Sequence, residues 1–318
     1  MGCTENIVRI VESCLRENTC EVEVRYNEPM ADHSTFRAGG PADCWLRPCG
    51  DGFPVFTASL LKAAGAGDVP VFILGGGANI LAADAGLRGI VLDTGGWTGE
   101  TGQEAGGVLE FRAGTSLDDA AEIAAGRGLS GMEFLAGMPG SIGGAVWMNA
   151  RCYGREIADV LHEVQIIDFS QQQPEHSRYK TDKAEFGYKR SPFQSRRNLI
   201  VTASFCLKSA DERHIRAAMD ARRKDREGKG HYRYPSAGSV FKNNPAFGMP
   251  AGKLIDDLGL RALRTGGAQV APWHGNIIVN TGGATAADIR NLADEVASQV
   301  KAATGYDLEP EIIFTGEW

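Results

Sequence analysis

The spacing of apolar residues along the chain predicts a mixture of helices and strands. Between residues 4 and 17, Ile7, Val11 and Leu15 recur at helical spacing. The same pattern predicts helices over residues 117–126, 211–227, 251–259 and 285–303. Short apolar runs predict strands at 42–47, 69–74, 90–92, 108–112, 162–168, 199–207, 276–280 and 311–315. Because these elements do not alternate as a regular βαβ series, the pattern indicates an α+β fold.

Length and composition indicate a globular protein of more than one lobe. The chain has 318 residues, of which 43% are hydrophobic and 23% charged, and its net charge is −7. A negative surface argues against nonspecific nucleic-acid binding. No run approaches the roughly 20 apolar residues that span a bilayer, and the N-terminus lacks an apolar signal core. We therefore expect a soluble, cytoplasmic protein without membrane or nucleic-acid partners. The seven cysteines contain no C-x-x-C, which favours reduced thiols over a zinc site.

Glycine is about twice as frequent as usual: 41 of the 318 residues, or about 13%, are glycine, against a typical ~7%. One cluster follows the strand 71–74 and runs from Gly75 to Ile80. A second lies between Gly137 and Ala145. Consecutive glycines let backbone N–H groups converge on a phosphate, and they allow it to approach closely. Each loop alone is compatible with an ordinary turn, but two together favour a diphosphate ligand held from two sides. Neither loop has the Rossmann or Walker A spacing.

Three further segments carry candidate chemistry. Ser239 lies among small residues in the segment 234–243, which leaves room for a substrate at its hydroxyl. Glu311 opens an apolar strand, where a carboxylate is either exposed at a rim or buried for a purpose. Residues 186–191 combine aromatic and basic side chains. A structural loop, a solvated carboxylate and a solvated turn are the alternative interpretations of these segments.

Taken in chain order, these segments resemble the UDP-N-acetylenolpyruvoylglucosamine reductase family. The resemblance covers essentially residues 32–316. It rests on residues 34–43, 74–79, 133–145, 148–150, 235–243, 266–269, 278–283 and 308–311. The short link between strand 199–207 and Arg222 is similar to the branch of the family that lacks an extra tyrosine-bearing substrate loop.

The resemblance implies a fold and a division into domains. We expect a two-lobed FAD-binding domain of the vanillyl-alcohol-oxidase type over residues 1–210, with lobes of about 1–70 and 71–210. A C-terminal α+β substrate-binding domain is expected over residues 211–311, and the tail 312–318 is a candidate to return to the FAD-binding domain.

The resemblance also assigns residues to the site. The expected catalytic residues are Ser239 as proton donor, Glu311 as catalytic carboxylate, and Lys189. The expected substrate contacts are Tyr188, Arg190, Lys242, Asn243 and Arg226. The expected FAD contacts are Gly75, Gly76, Gly77, Ala78, Asn79, Ile80, Gly137, Pro139, Gly140, Ser141, Gly143, Gly144, Ala145 and Arg223.

One position departs from the family pattern. The family's catalytic arginine follows the tyrosine of a Phe-Gly-Tyr-Arg-x-Ser motif, whereas Lys189 stands there in this chain and Arg190 comes next. Lysine cannot make the bidentate contact that arginine makes to a carboxylate. We prefer Lys189 for the role, with Arg190 as the alternative.

The implied reaction is the NADPH-dependent, FAD-mediated reduction of UDP-N-acetylglucosamine enolpyruvate to UDP-N-acetylmuramate, in cell-wall precursor synthesis, by a monomer. Two alternatives stay open. One is another flavin oxidoreductase of the same fold that acts on a lactone or hydroxy acid. The other is a non-catalytic nucleotide-binding or regulatory protein, an interpretation to which Lys189 gives weight.

Overall fold

A computed structural model describes residues 3–104 and 106–318, and of Cys3, Thr4, Gln103 and Glu104 it describes only the backbone. The helices are α1 (Cys3–Glu17), α2 (Phe53–Ala66), α3 (Leu117–Gly126), α4 (Ile142–Met148), α5 (Glu212–Gly228), α6 (Ala251–Asp257) and α7 (Ala286–Thr304). The strands are β1 (Glu21–Pro29), β2 (Pro41–Cys49), β3 (Val71–Leu74), β4 (Ile80–Ala82), β5 (Leu87–Asp93), β6 (Glu100–Glu104), β7 (Val108–Arg112), β8 (Leu129–Ser130), β9 (Arg151–Cys152), β10 (Arg155–Glu156), β11 (Leu161–Asp168), β12 (Glu175–Lys180), β13 (Asn198–Cys206), β14 (Lys208–Ser209), β15 (Arg264–Thr265), β16 (Ala268–Val270), β17 (Ile278–Asn280) and β18 (Ile313–Thr315).

The chain folds into two compact units, each built from several segments. Unit 1 comprises the chain up to Tyr26 together with Asp43–Gly76 and Gly89–Lys224, and unit 2 comprises Asn27–Ala42, Gly77–Arg88 and Asp225–Trp318. This division differs from the predicted boundary near residue 210. Two N-terminal segments pack with the C-terminal part of the chain because Phe36 and Leu81 are fully buried in its core.

Unit 1 contains two main sheets and two apolar cores. The sheet with strand order β1-β2-β5-β3 packs with α1 and α2, and the antiparallel sheet β12-β11-β13-β7-β6 packs with α3 and α4. In α1, Ile7, Val11 and Cys14 lie on one face and are buried, as the helical spacing predicts. Ser116 caps α3 by accepting a hydrogen bond from the Asp119 N–H group.

Unit 2 packs α6 and α7 against short strands. Strands β15, β16 and β17 form an antiparallel sheet, and β18 pairs in parallel with β4. Helix α7 begins with a capping box between Thr285 and Asp288, and Gly305, with a φ of 76°, caps its C-terminal end. The pairing of β18 places the predicted tail 312–318 in unit 2.

Most of the predicted elements are confirmed, and their ends differ by a few residues. The main exceptions are α2, β1, β12 and α4, which the pattern did not predict. Helix α4 takes up the last four residues of the predicted loop 137–145 and continues to Met148, because Ile142, Ala145 and Val146 are buried on one face. The six cysteines with described side chains are free thiols; the side chain of Cys3 lies outside the described part. Among the described residues, no helix is both long enough and apolar enough to cross a membrane.

Candidate active site

The two predicted glycine loops of unit 1 pack against each other. A Cβ on Gly76 would lie 2.7 Å from the Cα of Gly140, and a Cβ on Gly75 would lie 2.6 Å from the Ser141 hydroxyl oxygen. The N–H of Gly76 donates to that same oxygen at 3.2 Å. Side chains at positions 75 and 76 would therefore force the loops apart, and this close packing is the reason why glycine is needed at both positions.

The segment 137–145 is held in place by hydrogen bonds from its own unit. Gly137 has a φ of 70° and donates its N–H to Asp118 at 2.8 Å. The Gly140 carbonyl accepts from Leu117 at 3.1 Å. Ser141 is 4% exposed, and its oxygen accepts from Gly76 and from Gly144. Its own O–H group remains a donor for a ligand oxygen.

The loop continues into unit 2 at Gly77. This residue has a φ of 60°, and a Cβ on it would lie 2.0 Å from the His33 carbonyl oxygen. Two residues later, the Asn79 amide donates to the Glu311 carbonyl oxygen at 3.0 Å, and the Ile313 N–H donates to the Asn79 carbonyl oxygen at 2.9 Å. A predicted cofactor residue is thus joined directly to the backbone of a predicted catalytic residue.

Ser239 and Glu311 lie on adjoining segments of unit 2. An antiparallel bridge joins Phe241 to Pro310, and the Glu311 N–H donates to the Val240 carbonyl oxygen at 2.7 Å. Both Ser239 and Glu311 are half-buried. Within the described residues of unit 2, no group hydrogen-bonds to the Ser239 hydroxyl, which can both donate and accept.

Lys189 lies in unit 1, at the tip of a two-residue turn. Gly187 and Arg190 exchange N–H to carbonyl hydrogen bonds of 3.0 and 3.1 Å, and Lys189 has a φ of 55°. This left-handed conformation is uncommon for a residue with a side chain. Asn149 donates to the Gly187 carbonyl at 2.9 Å and Gln194 to the Lys189 carbonyl at 3.1 Å, so side chains stabilise the turn.

Two family models match this chain. Residues 230–315 match the C-terminal domain of UDP-N-acetylenolpyruvoylglucosamine reductase, and residues 57–171 match an FAD binding domain.

Curated relatives with the same name match over nearly the whole chain. The UDP-N-acetylenolpyruvoylglucosamine reductase of Treponema denticola is 38% identical over 312 residues, which cover 94% of this chain and 95% of that protein. The Treponema pallidum enzyme is 39% identical over 336 residues, which cover 92% and 94%. The crystal structure of the Thermus caldophilus reductase matches with a TM-score of 0.72 and 31% identity, covering 93% of this chain and all of that one.

The chain belongs to the UDP-N-acetylenolpyruvoylglucosamine reductase family. It is a flavin-dependent oxidoreductase with an FAD-binding domain and the family's C-terminal domain. The expected family and fold class are thereby confirmed, whereas the assignments of single residues remain predictions.

In this family member, three neighbouring residues of the predicted site, Tyr188, Lys189 and Arg190, differ in their exposure to solvent. Tyr188 is 38% exposed, and Lys189 is half-buried. Arg190 is exposed and lies back over Gly187, with its Nε 3.5 Å from the position of a Cβ there. The preference for Lys189 over Arg190 stays a prediction.

The remaining predicted contacts lie in unit 2 and already have protein partners. Lys242 forms an ion pair with Glu309, and the Asn243 amide oxygen accepts from the Ala251 N–H at 2.9 Å. Arg226 is only 9% exposed, and its Nε donates to the Tyr232 hydroxyl at 3.2 Å.

The predicted phosphate contact Arg223 is engaged elsewhere. Its guanidinium binds Asp118 at 2.8 Å and Glu122 at 2.6 Å, both within unit 1. The hydrogen bond from Arg223 is the main cause that lowers the pKa of Glu122, against the opposing effect of burial. A phosphate bound by Arg223 would have to compete with these two carboxylates, and the role of Arg223 in cofactor binding stays a prediction.

Sequence reasoning did not identify Asn276, or any role for His231 and His274. Asn276 is 3% exposed and hydrogen-bonds to the segment that carries Ser239. Burial is the main cause that lowers the pKa of His274, and it lowers that of His231 to about 4. The only sequence signal for a buried polar site here was the pair of polar residues, His274 and Asn276, just before the apolar residues 277–279.

Proposed function

We propose that this chain catalyses the NADPH-dependent, FAD-mediated reduction of UDP-N-acetylglucosamine enolpyruvate to UDP-N-acetylmuramate. The observation that carries the proposal is the joining of the Ser239 and Glu311 segments, with a serine hydroxyl that has no partner in its own unit. The names of the relatives supply the reaction class.

The glycine loops fit an FAD diphosphate. Gly75, Gly76 and Gly140 present bare backbone, and Ser141 offers an O–H donor beside them. Asn79, anchored through Glu311, would fix the loop where it continues into unit 2. When bound, FAD supplies the hydride chemistry that amino-acid side chains cannot provide.

Side chains of the protein would donate the proton to the substrate and stabilise the negative charge that develops on it. Reduction of the enolpyruvyl double bond adds a hydride to one carbon and a proton to its neighbour. Ser239 would donate that proton from its hydroxyl. Lys189 would stabilise the negative charge that spreads into the substrate carboxylate, acting as a point charge rather than as a bidentate fork. Glu311 would hydrogen-bond at the same reacting centre.

The rest of the substrate is a UDP-sugar with a strong negative charge. Arg226, Lys242 and Arg190 would contact its phosphates or carboxylate, and Asn243 and Tyr188 offer hydrogen bonds to uracil or sugar. On binding, Lys242 would exchange its ion pair with Glu309 for an ion pair with a phosphate oxygen. NADPH and UDP-sugars are cytoplasmic metabolites, and we propose that the reaction takes place there, with the enzyme acting as a monomer.

An anaerobic titration tests the proposal. The purified protein should be yellow, bleach on addition of NADPH, and regain its colour on addition of the enolpyruvyl UDP-sugar. Bleaching without recolouring, while a lactone or hydroxy acid acts as a redox partner, would support a different flavin oxidoreductase. A colourless protein that binds the UDP-sugar would support a non-catalytic role. Light scattering during size exclusion measures the oligomeric state.

A further inference from the structure

Asn276 holds the backbone beside Ser239 through three hydrogen bonds. Its carbonyl oxygen accepts from the Val240 N–H at 2.9 Å. Its amide oxygen accepts from the Phe241 N–H at 2.9 Å, and its amide nitrogen donates to the Phe241 carbonyl oxygen at 2.8 Å. The Asn276 side chain, in a residue that is 3% exposed, therefore pairs with both the N–H and the carbonyl oxygen of Phe241.

These bonds matter because Gly238, on the other side of Ser239, offers this residue little packing. The preceding residue, Gly238, has a φ of 74°, and nothing lies within 4 Å of the position of its missing Cβ. Ser239 itself takes part in an isolated bridge with Ile277 rather than in one of the strands described above. The position of the hydroxyl thus depends on the two residues that follow, and Asn276 binds both of them.

The opposite side of the same segment contacts residues 309–311, which include Glu311. The Val240 carbonyl oxygen accepts from Glu311 at 2.7 Å, and the Lys242 N–H donates to the Glu309 carbonyl oxygen at 2.8 Å. The Ser239 segment is therefore held between Asn276 on one side and residues 309–311 on the other. A shift on the Asn276 side would change the position of Ser239 relative to Glu311.

Asn276 is itself held by its neighbours. Its N–H donates to the Nδ1 of His274 at 3.1 Å, which requires an imidazole with its proton on Nε2. Gly275 leaves no room for a side chain, since a Cβ there would lie 2.4 Å from an oxygen of Asp256. The amide is thus preorganised before any ligand binds.

We propose that Asn276 is a positioning residue, which fixes the Ser239 hydroxyl for protonation of the substrate carbon. The inference rests on the proposed role of Ser239 as proton donor. The buried amide is needed because an unpaired peptide group in this place would lose its hydrogen bonds without compensation from water. Misplacement of a reacting group by about 1 Å can cost a factor of about 10² in rate.

The test is the N276D variant. The substitution conserves size and the oxygen that accepts from Phe241, but the ionised carboxylate cannot donate to the Phe241 carbonyl. We expect anaerobic bleaching by NADPH within about twofold of the parent rate and recolouring by the enolpyruvyl UDP-sugar slowed by about 10- to 100-fold. On lowering the pH, the introduced carboxyl gains a proton and can donate again, so recolouring should recover relative to the parent. A purely structural defect would not produce this separation of the half-reactions.

N280D is the matched control. Asn280 is also buried, at 5%, and its amide donates to the Phe36 and Arg37 carbonyl oxygens and accepts from Gly282 and Ala284. It lies in the same unit, and its side chain makes none of the hydrogen bonds to residues 239–242. We expect a comparable loss of melting temperature with recolouring within about twofold of the parent. Equal slowing of recolouring in N280D and N276D would overturn the proposal.

Different results would refute the role of Asn276 and the role of Ser239. Normal recolouring in N276D together with slow recolouring in S239A would refute the role of Asn276 alone. Normal recolouring in S239A would refute the proposed function of Ser239. If N276D does not fold, H274L removes the acceptor of the Asn276 N–H and H274Q can replace it. Slow recolouring in H274L with recovery in H274Q supports the proposal, and normal recolouring in H274L overturns it.

Discussion

The Glu311 N–H group donates to the carbonyl oxygen of Val240 at 2.7 Å, so the backbone beside Ser239 and that of Glu311 are joined directly. These two residues are 72 positions apart in the chain, yet the same hydrogen bond constrains both. A proton donor and a carboxylate held in this way need little reorganisation during a reaction, which is the main source of rate enhancement in preorganised sites. Variants at the two residues should therefore affect the same half-reaction.

The first prediction concerns the Ser239 hydroxyl. S239A should bleach with NADPH at the parent rate, because flavin reduction does not use this proton. Recolouring by the enolpyruvyl UDP-sugar should slow by about 10²–10⁴-fold, the usual contribution of a general acid. Stopped-flow absorbance of the flavin measures both steps. S236A, in the same loop, is the control and should recolour normally; unimpaired recolouring in S239A would remove this residue from the mechanism.

The second prediction concerns the Glu311 carboxylate. E311Q keeps the shape of the side chain and its backbone bonds to Val240 and Asn79, but it removes the negative charge. We expect the second half-reaction to slow by at least about 10-fold, with little change in bleaching. E317Q, an exposed carboxylate a few residues later, is the control. A defect confined to NADPH oxidation would contradict the assignment.

Local pattern predicted much of the fold because the elements concerned have a single clear period. Helix α3 and strand β7 lie where the sequence predicted them, over residues 117–126 and 108–112. The sequence also drew attention to the two glycine loops, but their packing against each other was found only in the structure. Helix α2 was missed, since its apolar residues occupy most of its circumference and leave no distinct period.

Contacts between residues far apart in the chain could not be predicted from the sequence. The residues around Phe36 and Leu81 do not show that these two side chains enter the core of unit 2. An apolar side chain can fill the core of either unit equally well. Asn276 was missed for a similar reason. Its partner Phe241 is 35 positions away, and a lone asparagine before a strand is usually solvated.

The third prediction compares Lys189 with Arg190. Lys189 is half-buried and its backbone is fixed by Gln194, whereas Arg190 is exposed. K189A should therefore slow recolouring by about 10²-fold or more, as loss of a charge-stabilising group does, and R190A should have the smaller effect. K189R restores the residue type of the family and should keep at least the parent rate. A larger defect in R190A would show that Arg190 fills the role.

The fourth prediction concerns FAD binding. In G76A the new methyl group would lie 2.7 Å from the Cα of Gly140, a backbone atom that cannot move aside cheaply. The glycine loops should separate, and the purified variant should contain less flavin and bind added FAD more weakly, by about 10-fold or more. The ratio of the visible absorbance of the flavin to the ultraviolet absorbance of the protein measures the flavin content.

The matched control for G76A is G65A. Gly65 lies in α2, and nothing is within 4 Å of the position of its missing Cβ. Alanine has the higher helix propensity, so this variant should gain up to about 1 kcal/mol of stability and keep its flavin. If G76A retained full flavin affinity, the close approach of the loops would be irrelevant to the cofactor.

The last prediction concerns stability at mildly acidic pH. Burial, followed by the positive charges of Arg226, His274 and Lys229, lowers the pKa of His231 to about 4, with Asp225 opposing. Between this value and the ordinary value of about 6.5, the unfolded chain binds a proton that the folded chain does not. The free energy of unfolding should therefore fall as the pH drops through this window, by on the order of 1–2 kcal/mol.

Urea denaturation at about pH 7, above that window, and at about pH 5.5 and 4.5, within it, measures the effect of His231. H231N cannot take up the proton, so its stability should fall less steeply with decreasing pH than that of the parent chain. Carboxylates titrate in both proteins, and the difference between the two curves isolates the histidine. Parallel curves would mean that His231 is solvated enough to bind a proton in the folded state.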